Sequence, residues 1–286
     1  KNRLGAAQRH FAKGREAGSW RGQPERDTSK EEEKMEVQYF KQRSEALGRE
    51  METKVYGHGG KPMLFIPCQD GRFFDFENFK MTDTWAPWID AGKVMVFTLD
   101  TIDKETWSNK EGDPAWRSAR HEQWMRYIFD ELVPFIRQTV NKANGKRNAK
   151  PKVLAFGCSL GATHALNLFL RRPDLFGGVL ALSGIYDASY GFDGYMDEGV
   201  YLNSPVHFLP NLPEGHPTIQ QLNQGKGIIC VGLGAWEQPE TTRRVDELCR
   251  QKGIRMWVDY WGYDVNHDWP WWHKQAAYFA PYLLED

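Results

Sequence analysis

Apolar residues along the chain fall into short unbroken runs, separated by longer stretches in which apolar and polar positions alternate. Met63-Leu64-Phe65-Ile66, Val94-Met95-Val96-Phe97-Thr98-Leu99, Val153-Leu154-Ala155-Phe156, Gly178-Val179-Leu180-Ala181-Leu182-Ser183 and Gly227-Ile228-Ile229-Cys230-Val231-Gly232 are runs of this kind. Runs this short and this apolar predict strands buried on both faces. Ile254 to Tyr260 reads as the last strand. Between the strands the spacing turns helical. Trp124, Ile128, Leu132, Phe135 and Ile136 fall on one face and predict a long helix from about Ala119 to Val140. Further helices are predicted over Ala162–Leu170, over Thr241–Lys252 with Gly253 as its stop, and from about Trp271 to Leu284. Near the start, Val37–Phe40 and Arg49–Tyr56 read as an antiparallel pair of strands. Strands and helices in alternation, with the strands apolar throughout, predict an α/β fold: a mostly parallel central sheet with helices on both faces.

Residues 1–34 break this pattern. They are rich in Arg, Lys, Glu and Gly and nearly free of aliphatic side chains, so they cannot bury enough surface to fold alone. A disordered N-terminal extension is expected over 1–34, and a single folded domain over 35–286. Met35, followed at once by strand-like sequence, is a candidate natural start, and a docking arm is the alternative reading of the extension. The chain has 286 residues and 41% hydrophobic content, enough for a sizeable core. Its net charge of −1 argues against nucleic acid or an anionic membrane as the main partner. No apolar run is long enough to span a bilayer and no leader-like segment opens the chain, so a cytoplasmic protein is expected. The four cysteines, Cys68, Cys158, Cys230 and Cys249, are widely spaced and form no C-x-x-C pair, which points away from a zinc ribbon or a redox motif.

The chemistry concentrates at Gly157-Cys158-Ser159-Leu160-Gly161. This G-x-S-x-G pentapeptide lies between a predicted strand and a predicted helix, the setting a nucleophile elbow requires. The two glycines leave room for a strained turn that lifts the Ser159 hydroxyl clear of the sheet. Cys158 also lies in the turn, but Ser159 holds the central position. A serine hydroxyl needs a base, and the base needs an acid to orient it. Of the histidines late in the chain, His216 precedes Pro217 in a loop and His273 lies inside a predicted helix. His267 follows the last strand at the sheet edge where the elbow emerges, and it is the expected base. The acid is open. Glu237 is the first carboxylate after the Gly227–Gly232 strand and is favoured, with Asp187 and Glu240 as alternatives. Asp264 and Asp268 are too close to His267 in sequence to orient it, and are expected to pin its loop. Two backbone amides should complete an oxyanion hole. One is that of Leu160, and the other lies in Pro67-Cys68-Gln69-Asp70-Gly71-Arg72, with Gln69 favoured within 68–72. No cofactor is required. His121, Glu122, Asp100 and Asp103 sit in separate elements without ligand spacing, so no metal is expected. Among the twelve tryptophans, Trp85, Trp107, Trp236 and Trp269 lie near predicted site loops. They serve either as core or as a surface for aryl or sugar groups.

Several segments together resemble the esterase D-like branch of the α/β-hydrolases, the putative esterases, from about Met35 to the C-terminus. They are the elbow, Pro67-x-x-x-Gly71-Arg72-Phe73-Phe74 with Glu77, Asp100-x-x-Asp103-x-x-x-Trp107, Arg120-His121-Glu122, Tyr201-Leu202-Asn203-Ser204-Pro205, and Gly262-Tyr263-Asp264-Val265-Asn266-His267-Asp268-Trp269-x-x-Trp272. The resemblance implies an α/β-hydrolase fold and a serine esterase acting on small-molecule esters, or in some branches an acyltransferase. It carries over Ser159 and His267 as motif residues. Many relatives have Gly-x-Gly-Asp where this chain has Gly232-Leu233-Gly234-Ala235, which makes Glu237 the natural replacement for the missing aspartate. A catalytically inactive binding module of the same fold is the remaining alternative, and the presence of both Ser159 and His267 speaks against it.

Overall fold

Eight strands form one sheet in the order β1-β2-β4-β3-β5-β6-β7-β8 in the computed structural model, which describes residues 35–285. The extension expected over residues 1–34 lies outside the described residues. β1 (Val37–Ser44) and β2 (Arg49–Tyr56) are antiparallel, and β2 meets β4 (Val94–Thr98) antiparallel as well. From there β4, β3 (Lys61–Ile66), β5 (Val153–Cys158), β6 (Phe176–Leu182), β7 (Lys226–Val231) and β8 (Trp257–Tyr260) run parallel. Their carboxyl ends therefore gather along one edge, where the connecting loops form a crevice.

The helices are α1 (Asp75–Asn78), α2 (Met81–Ile89), α3 (Pro114–Arg126), α4 (Val133–Ala143), α5 (Leu160–Arg171), α6 (Glu198–Leu202), α7 (Pro205–Phe208), α8 (Pro217–Leu222), α9 (Pro239–Lys252) and α10 (Trp269–Leu284). Successive strand residues feed opposite layers, as the two-residue period of a strand demands. Leu64 and Ile66 join the core beneath α3, α4, α5 and α9, whereas Met63 and Phe65 join the core beneath α1, α2 and α10. Burial on both faces is why these strands read as unbroken apolar runs.

Three expectations need correction. The long helix begins at Pro114, where the Asp113 side chain accepts the Trp116 N–H, so Arg120-His121-Glu122 lies within α3 and does not open it. It also changes to a π-helical stretch over Tyr127–Leu132 before α4. Pro134 has no N–H to donate, so the α-helical ladder cannot continue through it unchanged. The last strand starts at Trp257 and not at Ile254. The Ile254 and Arg255 amides donate instead to Cys249 O and Asn223 Oδ1, which keeps them off β7. No helix among the described residues is long and apolar enough to cross a membrane.

Candidate active site

Ser159 occupies the sharp turn between β5 and α5, with φ 57° and ψ −129°. An L-residue in this region is strained, and the surroundings must hold it there. Its N–H donates to Leu182 O at 2.8 Å, tying the turn to the end of β6. The flanking glycines do not carry the positive φ. They permit close approach: a Cβ on Gly157 would lie 2.3 Å from Gly161 C, and a Cβ on Gly161 would lie 2.3 Å from Ile66 O and 2.4 Å from Pro67 O. The head of α5 is thus pressed against the end of β3, and only glycine fits between them.

Three loops bring a hydroxyl, an imidazole and a carboxylate into one row. His267 Nε2 lies 2.9 Å from Ser159 Oγ, and His267 Nδ1 lies 3.3 Å from Glu237 Oε2. A carboxylate only accepts, so Nδ1 carries the proton and Nε2 is left to accept the serine O–H. The loops after β7 and β8 are sewn together. Gly234 N–H donates to Val265 O and His267 N–H to Ala235 O, and Asn266 Oδ1 accepts the Ala235 N–H at 2.8 Å. The Glu237 side chain is 1% exposed. Its second oxygen, Oε1, accepts Ser183 Oγ–H at 2.7 Å and Gly232 N–H at 3.2 Å, so the buried carboxylate is fully partnered. Ser183 Oγ in turn accepts Trp272 Nε1–H at 3.0 Å, and the Trp272 ring stands edge-on to His267. Trp272 ends the Gly262–Trp272 segment that carries the family resemblance, whereas Ser183 belongs to no motif. Each acts through a partner distant in sequence.

The other candidate acids lie elsewhere. Asp187 accepts Ser189 N–H and Oγ–H and faces His207, and Glu240 is exposed in the first turn of α9. His216 caps α8, and His273 meets Thr84 Oγ1 at 2.6 Å, its pKa lowered by burial. Asp268 caps α10 through the Trp269 N–H. Cys158 is buried, and burial drives its thiol well above the ordinary value. Burial, with Asp75 adding, pushes Cys68 up to about 12. Neither is a thiolate at neutral pH.

The Leu160 N–H heads α5 and has no acceptor within the helix. Beyond Gly161 lies the 67–72 loop, in which the Gln69 side chain donates to Ser108 Oγ at 2.8 Å. The Gln69 backbone N–H donates to no protein acceptor among the described residues. Asp100 anchors the far side of this loop, accepting Arg72 Nε–H at 2.6 Å and Phe73 N–H at 3.0 Å. Glu122 forms a two-pronged pair with Arg171, both contacts at 2.8 Å.

A cavity of about 330 Å³ opens over Ser159 and His267, with Gln69, Trp107, Tyr190 and Trp236 in its wall. Trp236 is 88% exposed and Tyr190 62%. Trp85 and Trp269, expected near the site, do not line it. Trp85 lies on the buried face of α2, and Trp269 is stacked on Phe79 at 4.2 Å. The wall over 190–193 is held by two cations. Lys110 Nζ donates to Tyr190 O and Gly191 O, both at 2.9 Å, and the buried Arg117 reaches Gly191 O and Asp193.

The sequence profile of the family described as "Putative esterase" matches residues 44–282. No curated protein sequence matches the chain. Among solved structures, a ferulic acid esterase is similar at 16% identity and a TM-score of 0.66, covering 87% of this chain and 98% of that one. An S-formylglutathione hydrolase from Agrobacterium tumefaciens is similar at 15% identity and a TM-score of 0.66, covering 87% and 95%. FphF, a fluorophosphonate-binding serine hydrolase of Staphylococcus aureus, is similar at 13% identity and a TM-score of 0.63, covering 88% and 99%. At such identities the likeness is one of fold, the α/β-hydrolase fold. The family match spans nearly all the described residues, and the chain belongs to the putative esterase family, carboxylic ester hydrolases.

Proposed function

We propose that the protein is a serine esterase in which Ser159 is the nucleophile, His267 the general base and Glu237 the acid that orients it. The observation that carries this reading is the unbroken row from Ser159 Oγ through His267 to the buried Glu237. His267 Nε2 takes the hydroxyl proton as Ser159 Oγ attacks the ester carbonyl. The tetrahedral oxyanion is held by the amides of Leu160 and Gln69. The C–O bond then breaks, and the imidazolium returns its proton to the departing alcohol. A water deprotonated by His267 attacks the acyl-enzyme and releases the acid. Glu237 keeps Nδ1 protonated and offsets the charge of the imidazolium. No cofactor takes part in these steps.

The aromatic wall supports an aryl ester or an acylated sugar as substrate. Trp236 and Tyr190 present ring surface to solvent beside Ser159, where burial in the core does not account for them. One fold neighbour is described as a ferulic acid esterase, which fits an aryl acyl group. We further propose a cytoplasmic enzyme. Its four cysteines are free, as suits a reducing compartment.

A fluorophosphonate probe tests the reading directly. Covalent labelling of the folded protein at Ser159, lost in Ser159→Ala, is the expected result. An unlabelled wild type, or equal labelling of the variant, would overturn it.

A further inference from the structure

Two side chains that the proposed reaction does not use join the two halves of the oxyanion site. His164 lies on α5, the helix headed by Leu160, and is fully buried. Its Nε2 is 3.2 Å from Asp103 Oδ1, and Asp103 is 2% exposed. The other carboxylate oxygen, Oδ2, accepts the backbone N–H of Asp70 at 3.2 Å. Asp70 is the third residue of a turn closed by Gly71 N–H donating to Cys68 O at 2.9 Å, and it takes φ 60°. A positive φ at that position belongs to turns whose central peptide is flipped relative to the common type I turn. A non-glycine residue stays in this conformation only when its surroundings enforce it. By accepting the Asp70 N–H, Asp103 fixes the Gln69–Asp70 peptide, and the Gly71–Cys68 bond that closes the turn then holds the adjoining Cys68–Gln69 peptide, which carries the Gln69 N–H.

Asp103 is anchored in its own right. Its backbone carbonyl accepts Thr106 N–H at 2.9 Å and Ser108 N–H at 2.8 Å. Trp107 stands edge-on to His164 at 5.5 Å and shuts the pair away from solvent. The row of Ser159, His267 and Glu237 comes from the ends of β5, β7 and β8 and makes no hydrogen bond to the 68–71 turn. The turn therefore needs a separate tie to the elbow.

We propose that Asp103 and His164 are positioning residues: through a buried carboxylate–imidazole bridge they tie the 68–71 turn to α5, so that the Gln69 amide stays in register with the Leu160 amide. The proposal rests on the reading of those two amides as the oxyanion donors. Such donors act only when both are aimed at the place where the charge develops, and a small displacement of either forfeits most of the effect.

The test uses the full chain carrying Asp103→Asn, His164→Leu or His164→Gln. Active sites are counted by exhaustive fluorophosphonate labelling, so that any misfolded fraction drops out. Kinetics on a chromogenic ester are set beside inhibition by a trifluoromethyl ketone, which forms a tetrahedral oxyanion adduct, and by a carboxylic acid product, which does not. Asp103→Asn keeps the shape but removes one acceptor. It and His164→Leu are expected to lower kcat per labelled site by about tenfold or more. KM should stay within about threefold, and ketone affinity should fall in step with kcat while acid affinity holds. His164→Gln, whose side-chain N–H can reach Asp103, should recover most of the rate. Variants with wild-type kcat per labelled site and only reduced thermal stability would overturn the proposal, as would a loss of rate that leaves ketone affinity unchanged. A wild type that does not label at Ser159 would instead overturn the reading on which the proposal rests.

Discussion

Replacing Glu237 by glutamine changes one atom and puts the polarity of the proposed row to the test. Ser183 and Gly232 both donate to Oε1, so the glutamine carbonyl would stay there and turn its NH2 toward His267 Nδ1. Nδ1 would then have to accept, Nε2 would carry the proton, and Ser159 would lose its acceptor. Steady-state kinetics of Glu237→Gln should show kcat reduced on the order of 10³–10⁴ with KM little changed. A loss below about tenfold would exclude Glu237 as the orienting acid. Trp236 makes a different case. It holds φ 66° and is almost fully solvated, so it contributes little to folding. Trp236→Gly relieves the left-handed backbone at the cost of a freer unfolded chain, and urea melts should place its stability within about 1 kcal/mol of wild type. KM for aryl esters should rise several-fold, while KM for short aliphatic esters should not. Equal effects on both would sink the aromatic-wall reading. At this scale the sequence was readable where a residue announces itself by its neighbours, as Ser159 does between two glycines. It was silent on Ser183 and His164, and it gave Asp103 and Trp272 only as members of motifs without a role, because each acts through groups far away in sequence.

The elbow is the element in which local sequence and local geometry agree most closely. Its strand, turn and helix follow from the apolar run, the glycines and the helix-forming stretch after them. The use of the glycines does not follow from those features. Gly161 serves contact with β3, since a Cβ there would meet Ile66 O and Pro67 O. Gly161→Ala should push the head of α5 away from the 67–69 segment, lowering kcat about 10²-fold or more and stability by roughly 1–3 kcal/mol. Kinetics and denaturant melts check both, and a fully active variant would show that the two halves of the site are not set by this contact. The long helix shows the opposite relation. A continuous apolar face predicted one helix, but Pro134 and the π-helical stretch before it divide the element. Periodicity reports which face is buried and does not register a change in hydrogen-bond spacing.

Across the whole molecule, burial on both faces of the sheet also governs how the protein responds to alkali. Burial, with Asp246 adding, pushes the Cys249 thiol up from 9.0 to about 12. Tyr260 rises from 10.0 to about 12 through burial and then Asp246, and burial also raises the phenols of Tyr56, Tyr127 and Tyr186. Each group ionises more readily unfolded than folded. The stability they contribute is therefore complete below the unfolded values and is lost as pH climbs toward the folded ones. Urea midpoints should be level between about pH 7 and 9 and should fall steadily from about pH 9 to 12. A midpoint unchanged at pH 11 would contradict the burial of these groups. The order of the strands and of the longer helices, the two-faced burial and the candidacy of Ser159 and His267 were all written in one dimension, because period, run length and near neighbours are properties of the chain itself; the short helices α1, α2, α6, α7 and α8 were not. The choice among Glu237, Asp187 and Glu240 as neighbour to His267 was not. All three follow strands that end at the same edge, and only the path of the loops after β7 and β8, laced by main-chain hydrogen bonds, puts Glu237 under the imidazole and turns the other two away. Which carboxylate meets which ring depends on distances across space, and those come into being when the chain closes on itself.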